Sequence, residues 1–251
     1  MVILLTLSVS ILVNFVFFFF AAKYKTDKVT DLSYGLSFIA VVLTVLIAKG
    51  EYSVINLIAT SMVVAWAVRL AGFLFIRINK MKRDKRFDGV RENFWSFFKF
   101  WFLQAVSVAI IISPIAVFIS KDKPNALVTL AFVGIGLWIF GLVLETIADY
   151  QKYIFKNNPK NDGKFIKKGV WKYSRHPNYL GEILCWWGLF IFASSNLVGA
   201  ELFTIFSPIY ITFLLIFVTG IPTIEETYKG NEEYQKYAEN TGVLLPKINY
   251  D

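Results

Sequence analysis

The sequence predicts an all-α fold, a polytopic transmembrane bundle of about seven helices. Three observations carry that reading: long apolar runs, a hydrophobic share of 56%, and basic residues that gather in alternate loops. A bilayer core about 30 Å thick takes a helix of roughly 20 apolar residues. Stretches such as "ILVNFVFFFF" and "ITFLLIFVTG" have no use on a soluble domain of 251 residues.

Taken in order, the expected helices cover about 1–22, 32–48, 52–76, 98–119, 125–148, 178–197 and 202–222, in one integral-membrane domain over 1–251 with a tail at 223–251. The first run is apolar from Met1, with no basic leader region and no small-residue cleavage site, so it reads as a retained helix and not a signal peptide. "GEYS" and "KDKPN" are tight connections, whereas "IRINKMKRDKRFDGVREN" and "YQKYIFKNNPKNDGKFIKKGVWKYSRHPN" are long polar segments. The fourth helix opens on "NFWSFFKFWF", where Trp95 and Trp101 suit a lipid-interface belt and Lys99 can reach the headgroups. Pro177 is tolerated only in a first helical turn, which sets the start of the sixth helix near Ser174–Pro177. The absence of inverted halves counts against a secondary transporter.

Charge tests the count independently. With seven passes, the loops after helices 1, 3 and 5 and the tail share one side and hold 21 of the 26 Lys and Arg residues, against three in the opposite loops. The positive-inside rule then puts the N-terminus outside and the long loops and C-terminus in the cytoplasm. That topology accounts for the net charge of +8, so no nucleic-acid partner is expected. A single cysteine, Cys185, and a single histidine, His176, leave no disulfide and no metal cluster to expect.

Polar groups inside spanning helices are costly and are functional candidates by default. Arg69 lies eight residues before Arg77, roughly 12 Å deeper along the helix, and shares a face with Phe73 and Arg77. Snorkelling over that distance is strained. Glu145 and Asp149 stack four residues apart near the end of the fifth helix, where like charges repel unless a cation, a hydroxyl or a ligand donor joins them. The other reading is a solvated helix end. Gln104 reads as helix–helix hydrogen-bond glue. Asp31 and Tyr34 open the second helix; Tyr34 is either a proton donor one turn inside the membrane or an interface tyrosine.

The densest polar cluster is "YSRHPNYLGE", at the mouth of the sixth helix. Free amides and the positive helix end there suit an anion, and Arg175 adds a fork fitted to phosphate or carboxylate. Asn178 and Glu182 share a face one turn apart. Lys164, Lys167 and Lys168 stand just upstream, with Gly163 and Gly169 letting the loop fold tightly. These residues predict a water-soluble, partly negative ligand entering from the cytoplasm between helix 6 and helices 3 and 5.

"SRHPNYLGEILCWWG", with "DGKFIKKGVWKYS" before it, resembles the hallmark of a membrane family of unknown function related to the C-terminal domain of steroid 5α-reductases. "DKRFDGVRENFWSFFKFWFLQ" and "LETIADYQKYIFK" resemble that family's earlier blocks, so the likeness covers most of residues 30–250. The tail "EETYKGNEEYQKYAENTGVLLP" is similar to that of isoprenylcysteine carboxyl methyltransferases, which share the Arg-His-Pro-x-Tyr-x-Gly block. The reductase resemblance implies NADPH bound from the cytoplasm, with Asn178 and Glu182 as cofactor contacts and basic loop residues on the phosphates. The second helix lacks the glutamate that would act with a tyrosine on a ketone-conjugated alkene; Asp31 and Tyr34 are its comparable groups.

Two enzymatic readings compete. In the first, an NADPH-dependent reductase acts on a lipophilic enone, steroid- or isoprenoid-like, drawn from the bilayer. Tyr34, Asp31 and Arg69 are then the catalytic candidates. The cofactor candidates are Arg91, Glu145, Asp149 and Lys164, then Tyr173, Arg175, His176, Asn178, Tyr179 and Glu182 around the sixth helix, and Glu225 in the tail. In the second, an S-adenosylmethionine-dependent methyltransferase acts on a membrane-borne thiol, carboxylate or amine. Glu182, Glu225, Glu226 and Tyr179 would face the cationic cofactor and Arg175 its carboxylate. A non-enzymatic assembly factor or small transporter is the third class.

Overall fold

The computed structural model describes residues 1–81, 87, 89–121 and 128–247, the side chains of 79–81 excepted. Part of the basic stretch after the third helix, most of "KDKPN", the expected helix start at 125 and the last four residues lie outside the described residues. The helices are α1 (Val2–Tyr24), α2 (Thr30–Lys49), α3 (Val54–Met81), α4 (Phe94–Ile119), α5 (Thr129–Lys156), α6 (Pro177–Ser194), α7 (Phe206–Phe213), α8 (Ile221–Thr227) and α9 (Glu232–Asn240). No strand occurs among the described residues; one isolated parallel bridge joins Ser174 to Gly242.

Among the described residues, six helical runs are long and apolar enough to cross a membrane: Val2–Tyr24, Thr30–Lys49, Val54–Ile78, Phe94–Ile119, Thr129–Lys156 and Gly199–Thr227. The chain is an integral, multi-pass membrane protein of all-helical fold. The sixth expected segment is also helical. It has only 18 residues, and Asn178 and Glu182 dilute its first two turns, so it is not among the six. The last expected helix is broken. A 3₁₀ stretch (Gly199–Ile205) leads into α7, and a π-helical turn (Leu214–Val218) closes on the Thr219 amide, which donates to the Leu214 carbonyl at 2.8 Å. Gly220 and Pro222 then reset the chain into α8. Such π turns widen a helix and re-aim the chain beyond them.

Local signals set the ends. Gly50 closes α2 in the left-handed region (φ 68), and the Asn93 side chain caps α4 by accepting from the Ser96 amide at 3.0 Å. The fifth helix runs through Lys156, so Asp149 and Lys152 stand on ordered helix and not on a frayed end.

The described chain falls into two compact units, Met1–Phe132 with Leu189–Ser207, and Val133–Gly188 with Pro208–Asp251. In the first, α1, α2 and α4 share a buried polar seam. Asn14 donates to Ser37 Oγ (2.9 Å) and to the Ser10 carbonyl (2.8 Å), and Gln104 donates to Asn14 Oδ1 (2.8 Å) and Ser33 Oγ (3.0 Å). Ser10 Oγ donates to the Ala105 carbonyl at 2.8 Å. Gln104 thus has the gluing role expected of it. Trp95 is exposed as an interface residue should be, but Trp101 is fully buried with Phe18 and Phe97, so it does not belong to the lipid belt.

In the second unit α5 and α6 run antiparallel at backbone contact. A Cβ on Gly181 would sit 2.6 Å from the Glu145 backbone nitrogen, and one on Gly188 2.6 Å from that of Trp138. Only glycine permits this approach, which brings Glu145 against the start of α6. Trp171 pins the loop before α6 by donating its Nε1–H to the Ala148 carbonyl at 3.0 Å.

Candidate functional site

The site is built on the α5–α6 contact and on the turn that feeds it. Glu145 and Asp149 are both buried, one helical turn apart on α5. Asn178, in the first turn of α6, donates its Nδ2–H to Asp149 Oδ1 at 3.2 Å. The other end of that amide, Oδ1, is buried and accepts no hydrogen bond among the described residues. A buried acceptor left open costs about 1–3 kcal/mol, so it marks a place for a donor from outside the chain. Glu182 follows one turn on, half-buried, with Gly181 between it and Glu145.

Ahead of α6 a second set of groups converges on Glu225 of α8. Its Oε1 lies 3.1 Å from Arg175 Nε, 2.9 Å from His176 Nε2, and accepts from the Tyr234 hydroxyl at 3.1 Å. Burial pushes the His176 pKa below its ordinary value, against the pull of Glu225, so the ring is neutral near pH 7 and Nε2–H donates. Its other face stacks on Tyr179, centroids 5.7 Å apart at 10°. Burial, then Glu225, pushes the Tyr234 phenol up; burial first raises Tyr237 to about 12. Both phenols are therefore hydrogen-bond donors and not acids at neutral pH. The amides of Arg175 and His176 donate to the carbonyls of Gly242 (3.0 Å) and Val243 (3.1 Å). The chain's own tail takes the two amides just ahead of the helix, where an anion was expected.

Of the sequence candidates, Glu145, Asp149, Asn178 and Glu182 lie along the α5–α6 contact, and Arg175, His176, Tyr179 and Glu225 adjoin it at the start of α6. Tyr173 is exposed beneath Lys172, and Lys164 caps the Lys160 carbonyl at 3.0 Å. Arg91 belongs to the first unit, where it pairs with Asp27 at 3.1 Å, both buried. The first unit also holds the three catalytic candidates. Tyr34 packs edge-on against Phe38 (5.0 Å) and Trp66 (6.5 Å), Asp31 faces Arg77 at 3.6 Å, and Arg69 lies over the Phe73 ring at 5.8 Å. Sequence reasoning missed Tyr234 and Trp171. The i, i+3 tyrosines of "EEYQKYAEN", behind the Glu-Glu pair, were the available signal for the first.

The chemistry of the inner set is that of acceptors: two carboxylates and an amide oxygen. It suits hydroxyls, an amide NH₂ or an ammonium, the groups that a nucleoside-type cofactor offers. Further out the sign changes, since α5 continues into Lys152 and Lys156 and α6 is preceded by Arg175. Lys152, Lys156 and Arg175 line one small concavity, with Tyr228, Tyr234 and Tyr237 as its aromatic wall.

Over 127 residues the chain is 28% identical to the protein-S-isoprenylcysteine O-methyltransferase of Saccharomyces cerevisiae, covering 46% of this chain and 48% of that one. The chain thus spans about half the length of the curated relative it matches. No solved structure matches it. The profile of the family described as "Protein of unknown function (DUF1295)", which is related to the steroid 5α-reductases, matches residues 17–241, and with nearly its whole length covered the chain belongs to that family.

Proposed function

We propose that the protein is a membrane-embedded, NADPH-dependent reductase of a lipophilic enone, steroid- or isoprenoid-like, taken from the bilayer. The observation that carries this reading is the part-buried Asp149–Asn178 pair with the open Asn178 Oδ1, set beside a cationic outer end at Lys152 and Lys156. The acceptors would hold the carboxamide and ribose hydroxyls of the nicotinamide half, and the outer cations its phosphates. Acceptors deep and cations outward is the order of charge along such a dinucleotide. When bound, NADPH supplies a hydride to the β-carbon of the enone and leaves as NADP⁺; a proton delivered by the protein completes the saturated ketone. Tyr34, Asp31 and Arg69 are proposed to polarise the carbonyl and supply that proton. The basic loops and tail are read as cytoplasmic, where NADPH is available.

A second reading is an S-adenosylmethionine-dependent methyltransferase of a membrane-borne substrate. Its support is the similarity to the yeast methyltransferase, together with an acceptor set that would also receive the cofactor's ammonium. Thermal unfolding of the detergent-solubilised protein with NADPH, NADH or S-adenosylmethionine separates the two. A ligand at a hundred times its Kd stabilises the folded state by about 2.7 kcal/mol. A shift with NADPH that exceeds the shift with NADH is expected. A shift with S-adenosylmethionine alone would replace the reductase with the methyltransferase.

A further inference from the structure

The α5–α6 glycine contact holds α6 from Gly181 onward. The first turn, Pro177–Leu180, carries Asn178 and Tyr179 ahead of that glycine contact, where the one Asn178–Asp149 bond at 3.2 Å ties it to α5. We infer that Glu225 and Tyr234 are positioning residues: they gather Arg175 and His176 into a clamp that holds this first turn in the arrangement the cofactor meets. The inference rests on the cofactor reading above and changes the role of two residues in it, since Arg175 and His176 act through Asn178 and Tyr179 instead of touching the ligand.

The geometry is specific. One oxygen, Glu225 Oε1, lies within reach of donors from two elements: Arg175 Nε (3.1 Å) and His176 Nε2 (2.9 Å) before α6, and the Tyr234 hydroxyl (3.1 Å) on α9. Arg175 also donates from Nη1 to the Ala238 carbonyl at 3.1 Å, which ties the same guanidinium to α9 as well as to Glu225 of α8. The Tyr237 hydroxyl donates to the Trp171 and Ser174 carbonyls, closing the loop on its other side. Ser174, His176 and Tyr234 are buried, while Glu225 itself is 29% exposed. The clamp reaches the first turn through the His176–Tyr179 ring stack, and Tyr179 is held from behind by Gly220, where a Cβ would lie 3.1 Å from its ring.

The test uses the full chain in detergent and two variants, Tyr234→Phe and Glu225→Gln. Amide hydrogen exchange is followed over residues 174–182, and NADPH and S-adenosylmethionine are titrated against each protein. Tyr234→Phe removes one hydroxyl and leaves its ring contacts, so its unfolding temperature without ligand should stay within a few degrees of the parent. Its Arg175, His176 and Leu180 amides, which donate to the Gly242, Val243 and His176 carbonyls, should exchange about tenfold faster, and the cofactor should bind about tenfold more weakly, the loss of one bond to a charged acceptor. Glu225→Gln should exceed both effects. Parent-like exchange in Tyr234→Phe overturns the clamp. Fast exchange with parent-like affinity reduces it to a purely structural contact and also overturns the inference. Should the unaltered protein bind neither cofactor, the functional reading falls, and the exchange of the His176 and Leu180 amides alone decides the clamp: faster exchange keeps it and unchanged exchange removes it.

Discussion

The two units bury polar groups in opposite ways. The α1–α2–α4 seam is neutral: Ser10, Asn14, Ser33, Ser37 and Gln104 donate and accept among themselves and with nearby carbonyls. The α5–α6 contact is charged, with Glu145 and Asp149 on one helix, and its amide Asn178 makes one bond and leaves an acceptor open. A bilayer supplies no water to settle unpaired groups, so a neutral seam that closes on itself holds helices together. Carboxylates cost more to bury than neutral amides, and an acceptor left open beside them has no packing return. One seam reads as assembly and the other as recognition.

Four measurements can break or sharpen that contrast. The largest effect is expected from Gly181→Leu, which drives a side chain into the Glu145 backbone; overpacking of about 3 kcal/mol should lower the yield and the unfolding temperature of the folded protein sharply. Next, Asp149→Asn should weaken cofactor binding about tenfold by removing the charge that orients the ligand's donors. Its unfolding temperature should hold or rise, because a buried carboxylate has been neutralised; a fall without any loss of affinity would make Asp149 a structural residue.

Gln104→Leu should do the reverse. The seam should lose about 0.6–1.7 kcal/mol while cofactor affinity stays as it was, and any change in affinity would erase the distinction between the two regions. The smallest effect is one of pH. His176 titrates lower in the folded protein than its ordinary 6.5, so below that value the unfolded chain binds a proton that the folded one refuses. Stability contributed by the neutral ring is complete above about pH 6.5, declines as pH falls through it, and levels off below the folded value. His176→Gln should flatten that decline, as read by unfolding temperature across the range.

Much of the fold was legible because helix signals are local. Apolar length located the long helices α1 to α6, and Pro177 located the start of α6, whereas the polar α9 lay in what reads as a tail. The break in the last helix was not legible: Leu214–Val218 reads as apolar as any spanning run, and its π turn shows only in the backbone, where the Thr219 amide reaches back to the Leu214 carbonyl. The same limit applied to Trp101, whose neighbours in "FFKFWF" gave no hint that it turns wholly inward together with Phe97. The polar seam of the first unit was half visible. Gln104 stood out as a lone amide, while Ser10 with Asn14 and Ser33 with Ser37, each pair four residues apart on an apolar helix, were passed over.

For the site, the sequence by itself determined the residue types and their helical spacing: Glu145 one turn from Asp149, Asn178 one turn from Glu182, and Arg175-His176-Pro177 ahead of them. Those features come from chain periodicity. Only the tertiary structure decided which of them face one another. It paired Asn178 with Asp149 across α5 and α6, turned Arg175 and His176 away to Glu225, and brought in Tyr234 from α9. The physical reason is range. Spacing along a helix sets a direction, but a hydrogen bond has to be met within about 3 Å, and that meeting is arranged by glycine contacts and turns far apart in the chain.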